Sequence, residues 1–88
     1  MMQKFPDLKS NQVTLLRAEI ATGHVVDENF KLANNDDQTV YTVFESEKEA
    51  LNTAKKIVTE KKNIECIIYN ANEKILYQLD HRTWLMSH

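Results

Sequence analysis

The sequence of 88 residues contains only one glycine, one proline and one cysteine. A single glycine excludes a P-loop and a dinucleotide-binding fingerprint, because both need several glycines to let the backbone approach phosphate. A single cysteine cannot form an internal disulfide, whereas small extracellular domains usually carry several. No apolar run approaches the ~20 residues that span a bilayer, and the N-terminal segment lacks the apolar region of a signal peptide. These absences predict a soluble, cytoplasmic protein.

An excess of charge of one sign is also missing. The formal net charge is −2, with 42% hydrophobic and 27% charged residues, which is typical of one globular domain. This balance disfavours a strongly basic nucleic-acid binder and a membrane-surface protein. We therefore expect neither nucleic acid nor membrane as the main partner.

Known catalytic and metal-binding motifs are missing as well, including C-x-x-C, H-E-x-x-H, G-x-S-x-G and the EF-hand loop. The histidines have no i, i+4 spacing, and we expect exposed side chains rather than zinc ligands at His24, His81 and His88. The clustered acidic residues lack the ordered spacing of a calcium loop: Asp27, Glu28, Asp36 and Asp37. Cys66 is predicted to face the core as a small hydrophobe rather than a nucleophile. The sequence thus predicts no catalytic residue, metal or cofactor, and a protein that is not an enzyme.

One helix is strongly indicated after residue 46. Ser46 and Glu49 have the spacing of a capping box. An apolar stripe with i, i+3/i+4 spacing follows, on a helix of about four turns: Ala50, Leu51, Ala54, Ile57 and Val58. Asn63 is predicted to end the helix in a left-handed conformation.

The segment from 63 to 80 predicts a β-hairpin that is apolar on both faces. One face is expected to meet the helix stripe through three cross-strand pairs: Ile68 with Ile75, Cys66 with Tyr77, and Ile64 with Leu79. The second face would pair Glu65 with Gln78, Ile67 with Leu76, and Tyr69 with Lys74. Because one helix covers only one side of a sheet, something else must cover Ile67, Tyr69 and Leu76.

The segment from 12 to 32 supports two interpretations. As a helix it would begin near Ser10 and end at Gly23; as a hairpin it would turn at Thr22-Gly23. The hairpin is favoured because a helix leaves the apolar residues after Gly23 unexplained. Its predicted pairs are Ile20 with Val25, Arg17 with Glu28, Leu15 with Phe30, and Val13 with Leu32. A loop over 33–38 and a strand over 39–44 are expected to follow.

The two ends lack a periodic pattern. Residues 1–10 are predicted to be a loose arm, residues 11–80 the α+β domain, and residues 81–88 a tail. Trp84 in that tail either folds back onto the sheet or enters a partner, since exposed tryptophan is typical of interface hot spots. The sequence does not choose between these two.

The run VFESEKEALNTAKKIV, followed by a hairpin, resembles a pattern in small uncharacterised bacterial domains of ββαββ type. The resemblance covers residues 39–79 and is carried by Phe44, Ser46, Glu49, Ala50 and Ala54. It implies a fold and no activity. The chain has Asn72 where such domains commonly have glycine in the closing turn.

Together these features predict an α+β fold: an antiparallel sheet of about five strands in ββ-β-α-ββ order with one helix on one face. The candidate interaction surface is Ile67, Tyr69, Leu76 and Trp84 on the second face, covered by self-association or by the arm. The function we expect is a non-enzymatic interaction module, a homodimer acting as a small regulator or inhibitor. The alternative is a small-molecule or nucleic-acid binder that uses the same sheet face, Tyr41, Tyr69 and the lysines.

Overall fold

A computed structural model describes residues 4–82, and these residues form the predicted α+β fold. One helix packs on a five-stranded antiparallel sheet. The elements are β1 (Val13–Glu19), β2 (Val25–Val26), β3 (Tyr41–Phe44), α1 (Glu47–Glu60), β4 (Ile64–Tyr69) and β5 (Ile75–Leu79). Within the described residues, no helix has the length and apolar character that crossing a membrane requires. Trp84 lies outside the described residues.

Strand β1 is the centre of the sheet. It pairs with β4 along one side, and β2 and β3 lie end to end along its other side. Strand β5 pairs with the far side of β4. Every pairing is antiparallel, so side chains that face each other across these strands share one face of the sheet.

Helix α1 begins where the capping box predicted. The Ser46 hydroxyl accepts a hydrogen bond from the Glu49 backbone N–H at 3.2 Å and donates one to the Glu49 carboxylate at 3.2 Å. The predicted stripe faces the sheet: Ala50, Ala54 and Val58 are fully buried. They pack against buried side chains of β1, β2, β4 and β5: Val13, Leu15, Val26, Ile64, Cys66, Ile68 and Leu79. We call this side of the sheet the helix-side face.

The prediction that a left-handed Asn63 ends the helix is wrong. Lys61 is the C-cap, with extended backbone (φ −122°), and its N–H donates to the Ile57 carbonyl. Asn63 is not among the residues with positive φ. Ile64 N–H then donates to the Lys61 carbonyl at 3.1 Å, so the chain turns directly into β4 and no left-handed residue is needed.

The first hairpin is confirmed, but its predicted register is wrong by two residues. Val25 lies opposite Ala18 rather than Ile20, and Val26 lies opposite Arg17. The cause is a longer loop, closed where the Glu19 N–H donates to the His24 carbonyl at 2.8 Å. Gly23 takes the positive φ (75°) that this loop requires.

Strand β2 ends at once because of Asp27. Its buried carboxylate accepts hydrogen bonds from the backbone N–H groups of Asn29 (2.8 Å) and Lys31 (3.0 Å), and from the Gln38 side chain (2.8 Å). These bonds lower the pKa of Asp27, with the Gln38 contact the largest cause. The chain therefore turns away from β1 at Asp27 and returns at Val40, just before β3, and on the way Leu32 pairs with Val26 in an isolated bridge. We call residues 27–40 the excursion.

The excursion overturns the remaining pairs predicted for this hairpin. Leu15 faces Thr42 of β3 rather than Phe30, and Val13 faces Phe44 rather than Leu32. Phe30 instead sits in the excursion with a positive φ of 64° and packs against the helix-side core. The predicted partner of Glu28, Arg17, is buried at the point where the excursion leaves and returns, and it donates to the Val40 carbonyl at 3.2 Å.

The closing hairpin also differs from its predicted register. Leu79 faces Cys66 and Tyr77 faces Ile68, a displacement of two residues from the predicted pairs. The Asn70 side chain accepts the N–H groups of Asn72 (2.9 Å) and Lys74 (3.0 Å) in a loop of three residues, the last of which, Glu73, takes a positive φ of 61°. This loop accounts for one residue of the displacement, and the bulge that follows it accounts for the other.

A β-bulge follows this loop, and it reverses the predicted faces of the first two residues of β5. Tyr69 faces Ile75 while Ile68 faces Tyr77, so Leu76 is the extra residue. Ile75 was predicted to face the core and is instead 54% exposed. Leu76 was predicted on the second face opposite Ile67, yet it is half-buried and packs against the helix-side core.

Candidate interaction face

The face of the sheet opposite α1 is unusually apolar, and we call it the arm-side face. The observed register places two rows of side chains across it. The first row runs Val43, Thr14, Tyr69, Ile75, and the second runs Tyr41, Leu16, Ile67, Gln78. Only Thr14 and Gln78 in these rows lack an apolar or aromatic body.

Burial differs between the middle of the first row and its ends. Thr14 is fully buried and satisfies its hydroxyl by donating to the Thr42 carbonyl at 3.2 Å. Val43 at one end is 42% exposed, and Ile75 at the other is 54% exposed. Covered apolar surface in the middle is therefore continuous with uncovered apolar surface at both edges of the sheet.

The ring of Phe5 lies on this face. In the structure we call residues 4–8 the arm. The Phe5 ring centroid is 5.5 Å from that of Tyr41 at an interplanar angle of 68°, and 5.7 Å from that of Tyr69 at 85°. Both are edge-to-face contacts, the arrangement that the ring quadrupoles favour. We call Tyr41 and Tyr69 the tyrosine pair. Burial is the main cause that raises the pKa of the Tyr41 hydroxyl, with the Tyr69 hydroxyl and the Glu73 carboxylate adding to it.

A reverse turn joins the arm to β1. The Gln12 N–H donates to the Lys9 carbonyl at 2.9 Å, and the Gln12 side chain accepts the Lys9 N–H at 2.9 Å. The same side chain donates to the Glu45 carboxylate at 2.9 Å, which ties the turn to the end of β3. The turn thus fixes where the arm starts to cross the arm-side face.

Only some of the site residues predicted from the sequence lie on the arm-side face. Tyr69 lies on the arm-side face and contacts Phe5, and Ile67 lies beside it, half-buried, opposite Gln78. Leu76 does not join them, because the bulge turns it toward the helix-side core. Trp84 lies outside the described residues.

Sequence reasoning missed three members of this face: Phe5, Val43 and Ile75. Phe5 sits in a segment without periodicity, where no pattern indicates which surface it contacts. Ile75 was assigned to the opposite face because alternation alone does not reveal a bulge. Val43 lies in a strand that was predicted, and its exposure follows from β3 being at the edge of the sheet.

Two further features of the described residues are a buried thiol and a polar cleft. Cys66 is fully buried, and burial raises the pKa of its thiol to about 12, so a thiolate nucleophile is absent near neutral pH. A shallow polar cleft lies along the excursion between Asp27 and Gln38, but the donors of its own backbone and side chains occupy Asp27. Across residues 4–82, no three or more His, Cys, Asp or Glu side chains are grouped to hold a metal ion.

Comparisons with known proteins do not extend this description. No family of proteins, no curated protein and no solved structure matches the chain. The resemblance to small bacterial ββαββ domains therefore stays a prediction.

Proposed function

We propose that this protein is a non-enzymatic protein-interaction module that associates with a second copy of itself through the arm-side face, as a small cytoplasmic regulator or inhibitor. The single observation that carries the proposal is the apolar row with exposed ends. Val43 and Ile75 are among the three large apolar side chains that are exposed in the described residues, and both end the same row. Contiguous exposed apolar surface marks interaction sites on soluble proteins.

The geometry of the edges supports a protein partner. Within residues 4–82, β5 pairs only with β4, so its outer edge carries unpaired backbone groups beside the exposed Ile75. β3 likewise pairs only with β1, with the exposed Val43 on it. Apolar side chains next to free strand edges are a common basis of strand-to-strand association between chains. A second copy would offer the same two features, as a symmetric interface requires.

The experiment places a lysine at each exposed apolar position and measures native mass by light scattering. Ile75→Lys and Val43→Lys should dissociate the dimer, because each would bury an unpaired ammonium in the interface. Leu32→Lys is the matched control: Leu32 is 49% exposed but belongs to the excursion, away from the arm-side face. Circular dichroism confirms that each variant is folded.

Identical native masses for the wild-type protein and all three variants would contradict the proposal. The choice of Ile75 matters for this test. A charge at Leu76, the position that the sequence alone suggested, would enter the helix-side core and unfold the protein, so loss of the dimer there would carry no information.

A second candidate function is binding of single-stranded nucleic acid or an aromatic small molecule. The observation that favours it is the group of three rings formed by Phe5 and the tyrosine pair, since bases stack on aromatic side chains of sheet faces. The net charge of −2 opposes it, because phosphate neutralisation dominates such affinity. Salt-dependent binding of a mixed oligonucleotide pool would support this candidate, and no binding at low salt would eliminate its nucleic-acid form.

A further inference from the structure

We infer that, in the dimer, the arm of each copy lies on the arm-side face of the other, so that Phe5 of one chain fills the space beside the tyrosine pair of its partner. This inference rests on the proposed self-association and specifies its partner residue. The arm already lies on this face in each chain, and every copy carries the same arm.

Apolar and ring contacts hold the arm on the face. Within the described residues, no hydrogen bond joins residues 4–8 to the sheet. Phe5, Pro6 and Leu8 are half-buried, so the arm is held by apolar and ring contacts. Contacts of this kind are equally available to an arm that arrives from another chain.

A short hinge joins the arm to β1. The turn from Lys9 to Gln12 is closed by the backbone hydrogen bond from Gln12 to Lys9 (2.9 Å) and by the bond from the Lys9 N–H to the Gln12 side chain (2.9 Å). Opening that turn would carry the arm away from its own sheet, while Gln12 and Glu45 keep the base of the arm in place. Exchange of an identical element across a hinge loop is a low-cost route to a dimer.

Exchange of the arm has to be more favourable than the closed monomer. Phe5 makes the same contacts in both arrangements, and an arm on its own chain has an effective concentration on the order of millimolar. Exchange is therefore favoured only if the second copy buries further surface. The exposed Val43 and Ile75, at the two ends of the row that the arm crosses, supply that surface.

Selective isotope labelling of the full chain tests this inference. One sample carries ¹³C only in phenylalanine and a second only in tyrosine; they are mixed, unfolded in urea and refolded together. Cross-peaks between labelled Phe5 and the labelled tyrosine pair then arise only between two chains. A Phe5→Leu chain removes the Phe5 signals and leaves those of Phe30 and Phe44, which assigns the peaks.

The native mass is measured on the same samples, so the possible results separate. A dimer with cross-peaks between the two differently labelled chains supports exchange of the arm. A dimer whose cross-peaks occur only when both labels are on one chain overturns the inference and leaves the proposed self-association standing. A monomer overturns both.

Discussion

Replacing Phe5 with alanine should lower the free energy of unfolding by about 2 to 4 kcal/mol. Burying a phenylalanine side chain completely contributes about 1.5 to 3 kcal/mol, and Phe5 is half-buried, so the burial part is roughly 1 kcal/mol. Each edge-to-face ring pair adds about 0.5 to 1.5 kcal/mol, and Phe5 makes two of them. This cost is large for a residue of a segment without secondary structure.

Phe5→Leu separates these two contributions. Leucine retains most of the apolar burial and loses both ring pairs, so we expect a loss of about 1 to 3 kcal/mol. A double-mutant cycle with Tyr69→Leu isolates the pair between the Phe5 and Tyr69 rings, with an expected coupling energy of about 0.5 to 1.5 kcal/mol.

Urea unfolding followed by far-ultraviolet circular dichroism measures these differences. All variants must be compared at one protein concentration, because association contributes to the apparent stability. A loss below about 0.5 kcal/mol for Phe5→Ala is within the range of ordinary surface substitutions. That result would mean that Phe5 is not seated on the tyrosine pair, and the account of the arm would fail.

Four further predictions concern the structural parts of the fold. Arg17 is 3% exposed, its Nε has no hydrogen-bond partner, and burial lowers its pKa; Arg17→Met should therefore raise the free energy of unfolding by about 1 kcal/mol, and a less stable variant in urea would contradict this. Glu73 holds a φ of 61°, so Glu73→Gly should stabilise by about 0.5 to 1 kcal/mol, with Glu73→Ala unchanged as the control. Cys66 should resist a thiol reagent at about pH 8 in the folded protein and react once guanidinium unfolds it, because its pKa is raised; rapid labelling of the folded protein would show that the thiol is accessible. The pKa of Asp27 is lowered by the hydrogen bond from Gln38 and those from the backbone. The stability that Asp27 adds to the fold is therefore complete above the unfolded pKa of about 4 and is lost as the pH falls through the folded pKa. Asp27→Asn should reduce this acid dependence of stability in urea titrations, and an unchanged dependence would refute it.

The parts of the fold that local chemistry determines were predictable. The helix follows from Ser46, Glu49 and the apolar stripe, all within a single stretch of chain. The faces of β4 are also as predicted, because beyond the bulge its register with β5 is displaced by two residues, and an even shift keeps each side chain on its own face. Ile75 and Leu76, at the bulge, are the exceptions.

The predictions that were wrong concern loops in which a side chain accepts hydrogen bonds from the backbone. Asp27 ends β2 and Asn70 holds the closing loop at three residues, and neither effect is visible in an alternating pattern. Glu73 takes a positive φ that usually indicates glycine or asparagine, so the turn was placed differently.

The candidate site was predictable only in part, for the same reason. That the second face needs a cover follows from the two-faced hairpin, and Tyr69 and Ile67 belong to that face as expected. The bulge at Leu76 and the docking of Phe5 are tertiary events, because each depends on contacts between residues far apart in the chain.

Self-association through the arm-side face is the central claim, and native mass across a dilution series tests it most directly. Light scattering on the wild-type chain should give twice the 10.3 kDa chain mass at high concentration and fall toward one chain mass on dilution. Ile75→Lys should give one chain mass throughout, and Leu32→Lys should behave as the wild type. A wild-type mass of one chain at every concentration would contradict the account.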